Sequence, residues 1–250
     1  MRSSVLFLSA LSLAGFGCAG NDPVDGPVDG VERLTATPIA TTTTVAAGSY
    51  PLGVTTTKDA ILVVPASATP NAAIPLVVML HGAGGDEPPV NQVVASAEQH
   101  GVAVLIPKSR QSTWDAATST GMGPDVVVID QALRAAFERV RVDPARIALA
   151  GFSDGASYAL MLGIANGDLF SHIIAFAPGF INPVNRFGHP DILIVHGSSD
   201  GITSARNTQE NIIPFLEALG YNVLFHGFDG GHQVLAPETE FALSWFVSND

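Results

Sequence analysis

A serine at position 153 lies in a sequence that predicts a nucleophile. The run from Ile147 to Phe152 is apolar and typical of a buried strand, and it breaks at the Gly-x-Ser-x-Gly pattern of residues 151–155 before an alanine-rich helical stretch. A serine in such a turn is lifted above the sheet, beside free amide groups at the start of a helix. The pattern therefore predicts that Ser153 attacks an electrophilic carbon. The alternative is an ordinary glycine turn with an exposed serine.

A serine hydroxyl attacks efficiently only beside a base that a third group holds in one tautomer. His232 is the best candidate base because it lies in a glycine-rich loop after the last predicted strand. Asp200 ends the loop after the preceding strand, from which a carboxylate reaches the far side of the imidazole. Asp229 is the rival acid. His81 and His196 each end an apolar strand and could compete as bases, but we expect them to be structural.

The oxyanion formed by serine attack needs backbone N–H donors. We expect one amide from Asp154, directly after the nucleophile. The second is expected from the glycine-rich loop that follows an earlier strand. In that loop Ala83 is the first choice and Gly84 the alternative.

Substrate contacts are expected near the nucleophile and in residues 109–123, the longest irregular stretch of the core. Trp114 in this stretch either stacks on an acyl or aromatic group or pins the stretch onto the domain. The short connection over residues 178–190 predicts no large cap and an open, shallow site. The predicted contact residues are Gly82, Gly84, Trp114 and Phe152.

The elements that must position these residues alternate between strands and helices. Near-continuous apolar strands separated by helices predict a mostly parallel sheet with helices on both faces, an α/β fold in a single domain. In such a sheet the site lies beyond the carboxyl ends of the strands. Strands are predicted at 61–65, 76–81, 102–107, 147–152, 173–177, 192–196 and 223–228, and helices at 90–100, 125–140, after Ser153, 203–219 and 239–247.

With these motifs in place, the chain from about Tyr50 resembles the α/β-hydrolase superfamily. Within it, the chain is most similar to the phospholipase/carboxylesterase group and its poly(hydroxyalkanoate)-depolymerase-like relatives. The resemblance rests on four motifs, at residues 80–85, 143–155, 196–200 and 230–232. The resemblance implies a triad of Ser153, Asp200 and His232, with the amides of Ala83 and Asp154 as oxyanion hole. Asp154 departs from the small or neutral residue common in relatives, and its carboxylate would disfavour anionic substrates.

The expected function is that of a serine carboxylesterase that acts through an acyl-enzyme, without a metal or other cofactor. Short acyl esters, or ester groups at the surface of a polymer, suit an open site. Two alternatives remain. One is a peptidase or acyl-thioesterase on the same fold, and the other is a catalytically silent binding protein that uses the hydrolase shell as a scaffold.

The composition excludes several other classes. The 250 residues carry a net charge of −12, which argues against a nucleic-acid partner. Cys18 is the only cysteine, so no intramolecular disulfide can form. The trio His226, Asp229 and His232 presents no common face for a metal. The acidic near-repeat at residues 22–30 lacks the spacing of a calcium loop.

The N-terminus predicts export. Residues 1–18 read as a signal peptide, and the motif that ends at Cys18 resembles a bacterial lipoprotein signal, although Gly15 and Phe16 depart from its usual pattern. Lipidation of Cys18 would anchor the protein to a membrane. Simple cleavage would leave it periplasmic or secreted, and a retained buried segment is the third alternative. Residues 19–48 are expected to form a disordered tether, and residues 49–250 the catalytic domain.

Overall fold

An eight-stranded sheet forms the centre of the protein in the computed structural model, which describes residues 33–39, 44–56, 58–85, 87–117, 121–182 and 184–248. The strands are β1 (Gly48–Pro51), β2 (Ile61–Val64), β3 (Ile74–Leu80), β4 (Ala103–Ile106), β5 (Val142–Phe152), β6 (His172–Phe176), β7 (Asp191–Gly197) and β8 (Val223–Phe228). Their order in the sheet is β1-β2-β4-β3-β5-β6-β7-β8. The β1/β2 and β2/β4 pairs are antiparallel and all the others are parallel.

Helices cover both faces of this sheet, because the central strands are apolar on both sides. The helices are α1 (Glu87–His100), α2 (Asp125–Arg139), α3 (Asp154–Ala165), α4 (Ala205–Asn207), α5 (Ile213–Ala218) and α6 (Ala236–Ser248). On β3, Leu76, Val78 and Leu80 pack with helices α2 and α3, whereas Val77 and Met79 pack with α1 and α6. The prediction of a mostly parallel α/β sheet is confirmed.

The helix predicted over residues 203–219 is interrupted. A wider, π-helical turn at Thr208–Ile212 separates α4 from α5. Pro214 lies in the first turn of α5. Because proline has no N–H and its ring clashes with the carbonyl four residues earlier, a wider turn ahead of it relieves that clash. Strand β1 was not predicted, because it is only four residues long and largely exposed.

The tether predicted over residues 19–48 extends too far. Leu34 and Ala36 are buried in the core, and the amides of Thr35 and Ala36 donate to Asp130 Oδ1 at 2.6 and 2.7 Å. These partners lie about a hundred residues away in the chain, so the composition of the segment could not reveal them. Residues 1–32, including Cys18, are outside the described residues.

The edge of the sheet at the carboxyl ends of β6 and β7 is lightly covered. Residues 177–182 and 184–190 form no helix, in agreement with the prediction that a large cap is absent. Across the described ranges, none of the helices combines the length and apolar content needed to cross a membrane.

Candidate active site

Ser153 occupies a sharp turn between β5 and α3. Its backbone has φ 56° and ψ −119°, a region that costs a non-glycine residue about 1–3 kcal/mol. The glycines on either side permit this turn. A Cβ on Gly155 would lie 2.4 Å from the His81 carbonyl oxygen, and one on Gly151 would lie 2.1 Å from the Gly155 carbonyl oxygen. The close approach of strand, loop and helix therefore needs glycine at both positions.

The side chains of Ser153, His232 and Asp200 form one hydrogen-bonded series. His232 Nε2 lies 2.9 Å from Ser153 Oγ, and His232 Nδ1 lies 2.7 Å from Asp200 Oδ2. Because a carboxylate only accepts, Nδ1 carries the proton and donates to Asp200, which leaves Nε2 to accept from the serine hydroxyl. Asp229, the rival acid, is exposed. The imidazole proton instead points at the fully buried carboxylate of Asp200.

Asp200 is held by its own loop as well as by His232. Its Oδ1 accepts from the amides of Ile202 and Thr203 at 2.8 and 2.9 Å, and its Oδ2 accepts from the Thr203 hydroxyl at 2.9 Å. Burial alone would raise the pKa of Asp200, but the hydrogen bonds from His232, the two amides and Thr203 hold that pKa below its usual range. The carboxylate is thus kept ionised. Thr203 was not predicted as a site residue, although a threonine three residues after an aspartate is a common turn partner.

Close packing of two loops brings the acid to the base. The Ser198 amide, just after β7, donates to the carbonyl of Phe228, the last residue of β8, at 2.8 Å. The Ser199 amide donates to the carbonyl of Gly230 in the following loop at 2.9 Å. A Cβ on Gly197 would lie 2.4 Å from the Gly230 carbonyl oxygen. A glycine at 197 is therefore what lets the His232 loop lie directly against the end of β7.

The other two strand-end histidines have structural hydrogen bonds, as expected. His81 donates from Nδ1 to the Gly82 carbonyl at 2.7 Å and accepts at Nε2 from the Ser109 amide at 3.0 Å. His196 Nδ1 contacts Thr208 Oγ1 at 3.0 Å, and its Nε2 lies 3.2 Å from Asp200 Oδ2. Burial lowers the pKa of His196, which favours the neutral ring behind the carboxylate. Neither ring is placed to act on Ser153.

One of the two alternatives for the second oxyanion amide is excluded. The Gly84 N–H donates to the Ser112 carbonyl at 2.7 Å, so it is not available to a substrate. The loop nevertheless lies beside the nucleophile, since a Cβ on Gly82 would be 3.4 Å from Ser153 Cβ. This leaves Ala83 as the candidate amide in that loop, with Asp154 at the N-terminus of α3 as the other.

Two predicted substrate contacts are revised by burial. Trp114 is completely buried and donates from Nε1 to the His81 carbonyl at 2.8 Å, so the prediction that it contacts substrate is wrong. It instead pins its loop onto the domain, packing on His81 and Tyr158. Phe152 is 5% exposed, and the centre of its ring lies 4.7 Å from the centre of the His232 ring, where it supports the imidazole.

Comparison with known proteins shows the family of this chain. A family model described as "Putative esterase" matches residues 56–212, more than half of the chain. The chain belongs to this esterase family. This esterase-family chain is 29% identical over 226 residues to "Putative esterase NocK" from Nocardia uniformis subsp. tsuyamanensis. The match covers 80% of this chain and 64% of that relative, so the chain spans less than two thirds of the relative's length.

Solved structures show that this family member has the α/β-hydrolase fold. Esterase PE8 matches with a TM-score of 0.60 at 21% identity, covering 82% of this chain and 99% of that one. The fluorophosphonate-binding serine hydrolase FphF of Staphylococcus aureus matches with a TM-score of 0.64 at 16% identity, covering 82% of this chain and 100% of that one. At these identities the likeness concerns the fold.

One further feature of this esterase-family chain lies outside the Ser153 site. A cavity of about 190 Å³, lined mainly by apolar side chains including Ile164, Phe215 and Leu219, lies near the end of α3. Since Ile164 is ten residues after Asp154, this cavity is about 15 Å along the helix from the turn at Ser153. Within the described ranges, no group of three or more His, Cys, Asp or Glu side chains could hold a metal ion.

Proposed function

We propose that this protein is a serine carboxylesterase whose triad is Ser153, Asp200 and His232. The observation that carries the proposal is the series of two short hydrogen bonds through one imidazole, 2.9 Å to Ser153 Oγ and 2.7 Å to Asp200 Oδ2. Because Nδ1 carries the imidazole proton and donates it to Asp200, Nε2 is free to take the serine proton. Membership of the esterase family supports an ester as the bond that is cleaved.

In the proposed mechanism, His232 Nε2 takes the proton from Ser153 Oγ as the oxygen bonds to the ester carbonyl carbon. The ionised Asp200 stabilises the resulting imidazolium. The amides of Ala83 and Asp154 stabilise the oxyanion. When the tetrahedral intermediate collapses, His232 returns the proton to the leaving alcohol. Water, deprotonated by the same imidazole, then attacks the acyl-enzyme, and the acid product leaves as Ser153 regains its proton.

The proposed substrates are short acyl esters or ester groups at the surface of a larger polymer, as in the phospholipase/carboxylesterase group and its poly(hydroxyalkanoate)-depolymerase-like relatives. An edge without a helical cap over residues 177–182 and 184–190 supports an open site. The carboxylate of Asp154 stands beside the nucleophile and disfavours anionic substrates by charge repulsion. We therefore expect neutral esters to be preferred over matched esters with an acidic acyl chain.

We also propose that the protein is exported. The supporting features are the apolar run of residues 5–16 behind Arg2 and the cysteine at position 18. In this proposal Cys18 carries a lipid that anchors the protein to a membrane, and cleavage without lipidation would leave the protein periplasmic or secreted. Mass spectrometry of the mature N-terminus tests this. A diacylated Cys18 peptide is expected, and an intact Met1 peptide would contradict export.

Probe labelling combined with an ester panel tests the proposed activity. A fluorophosphonate probe should label the wild type, fail on Ser153→Ala and label His232→Ala far more slowly. Ser244→Ala, an exposed serine on α6, is the matched control and should label normally. Hydrolysis of p-nitrophenyl acetate and butyrate is expected to exceed hydrolysis of peptide amides and acyl thioesters. Absence of labelling would indicate a silent binding protein, and a faster reaction with amides or thioesters would indicate a peptidase or thioesterase.

A further inference from the structure

The segment Ser109–Trp114, here called the β4 clamp, follows β4 and contacts the loop that carries Ala83. Its Ser112 carbonyl accepts from the Gly84 N–H at 2.7 Å. Its Trp114 indole donates to the His81 carbonyl at 2.8 Å, and its Ser109 amide donates to His81 Nε2 at 3.0 Å. The β4 clamp thus fixes the loop on both sides of Ala83.

The same segment also contacts the residue that would supply the other oxyanion amide. Thr113 Oγ1 donates to Asp154 Oδ2 at 2.8 Å. Asp154 is the first residue of α3 and directly follows Ser153. Both side chains are half-buried, so this charge-assisted hydrogen bond is only partly screened by water. Six consecutive residues therefore link the two chain segments that form the proposed oxyanion hole.

The β4 clamp is itself anchored by a buried carboxylate. Asp125 is completely buried, and it accepts from the amides of Arg110 and Asp115 at 2.8 and 3.0 Å. Its own amide donates to Asp115 Oδ2 at 2.8 Å. These bonds hold the chain on both sides of Thr113, at Arg110 and at Asp115. The threonine hydroxyl is therefore held in a fixed position next to Asp154.

We propose that Thr113 is a positioning residue for the reaction, a role that rests on the proposed function. By holding the Asp154 carboxylate, it fixes the first turn of α3 and with it the spacing between the amides of Asp154 and Ala83. Thr113 also directs the Asp154 carboxylate towards the β4 clamp, where the hydrogen bond from the Thr113 hydroxyl partly stabilises its negative charge. An unrestrained carboxylate beside the oxyanion would oppose the negative charge that develops there.

Steady-state kinetics of Thr113→Val and Thr113→Ser test this role. Valine has nearly the same shape but no hydroxyl, and serine keeps the hydroxyl. With p-nitrophenyl acetate, Thr113→Val should lose roughly tenfold to a hundredfold in kcat with KM within about twofold, because a displaced donor acts mainly on the transition state. Affinity for a trifluoromethyl ketone, which forms a hemiketal on serine, should fall by the same factor. Thr113→Ser should retain most of the wild-type kcat and ketone affinity. Thr69→Val, at an exposed position, is the control and should leave both unchanged.

A double-mutant cycle with Asp154→Ala shows whether Thr113 acts through Asp154. Once Asp154→Ala has removed the acceptor, adding Thr113→Val should have little further effect on kcat. Unchanged kcat in Thr113→Val, or full additivity in the cycle, would overturn the proposal. So would an equal loss in Thr113→Ser, or a loss accompanied by a lower unfolding temperature with no selective loss of ketone affinity. These outcomes differ from failure of the proposed function, in which the wild type itself neither hydrolyses esters nor reacts with the fluorophosphonate.

Discussion

Four donor groups converge on the carboxylate of Asp200: the imidazole of His232, the amides of Ile202 and Thr203, and the Thr203 hydroxyl. The carboxylate is completely buried, and the loss of its hydrating water by itself favours the neutral acid. The carboxylate stays ionised because these four hydrogen bonds replace that water. They lower its pKa despite the burial. Asp200 is thus both fixed in position and ionised, which are the two properties needed to orient the imidazole of His232.

Asp200→Asn should test the assignment of the acid. The amide keeps the shape but removes the charge and favours the wrong imidazole tautomer, so kcat should fall by about 10³–10⁴, the size of effect known for the acid of serine protease triads. Turnover of p-nitrophenyl acetate measures this. Asp229→Asn, on the loop before His232, is the matched control and should retain wild-type kcat. A larger loss in Asp229→Asn than in Asp200→Asn would reverse the assignment.

Thr203→Val should weaken the hold on Asp200 without removing the acid. The hydroxyl is one of four donors, so we expect a loss of about threefold to tenfold in kcat, in line with about 1 kcal/mol for one hydrogen bond. Thr203→Ser keeps the hydroxyl and should stay within about twofold of the wild type. If the serine variant loses as much activity as the valine variant, the loss does not come from the hydroxyl and the prediction is wrong.

At the scale of elements, the central strand β6 carries a buried histidine that packs on α6. His172 Nδ1 contacts the Ser171 hydroxyl at 2.8 Å, and its ring lies edge-on to Trp245 and Phe246 at 5.0 and 5.1 Å. Its Nε2 is buried with no hydrogen-bond partner among the described residues. Burial lowers the pKa of His172; the negative charge of Asp191 opposes this shift, and the positive charge of Arg146 adds a smaller lowering effect. The folded protein therefore favours the neutral ring.

The free energy of unfolding should consequently fall as the solution becomes acidic. Below the unfolded-state value of about 6.5 the unfolded chain binds a proton that folded His172 resists, so the stability present at neutral pH is lost progressively as pH falls through the folded pKa. Urea unfolding at pH 7 and pH 5 measures the difference. His172→Gln removes this titration and should show a smaller difference, whereas His189→Gln, at an exposed position, should match the wild type. An unchanged difference in His172→Gln would contradict the prediction.

At the scale of the whole molecule, residues 33–36 link helices α2 and α3. The Arg33 guanidinium pairs with Asp168 just beyond α3 at 2.8 Å, and the Leu34 amide donates to Asn166 Oδ1 at 2.8 Å. Leu34 itself is 8% exposed and belongs to the core cluster of β3 and α2. The segment is thus part of the folded domain, although no helix or strand includes it.

Truncation tests the contribution of this segment. A chain that begins at Thr44 should unfold at a temperature several degrees lower than one that begins at Arg33. Burial of a leucine alone is worth about 1.5–3 kcal/mol, and each kcal/mol corresponds to about 2–4 °C in a domain of this size. Thermal unfolding followed by circular dichroism measures this. Leu34→Ala should reproduce part of the decrease and Ile39→Ala, at a half-exposed position, should not. Equal unfolding temperatures for the two chains would show that the segment adds nothing.

Comparison of sequence and structure shows which features were predictable. Each predicted strand of the core agrees with the structure to within two residues, except that β5 begins five residues before the predicted strand. The agreement holds because most of these strands are apolar runs bounded by glycine, proline or polar residues, whereas residues 143–146 at the start of β5 include a proline and two charged residues. The Ser153 turn was predictable for a similar reason, since its glycines and its position between strand and helix are local properties. The break at Thr208–Ile212 was missed because the effect of Pro214 is felt in the turn before it.

The sequence by itself determined the order of strands and helices, the turn at Ser153 and the few loops from which a base and an acid could come. Only the tertiary structure decided that Trp114 is buried under His81 and that Thr113 and Thr203 bond the carboxylates beside the nucleophile. The physical reason is that chemical type and local backbone preference belong to single residues and their neighbours. Burial and hydrogen-bond partners depend on which distant segments the packed sheet brings together.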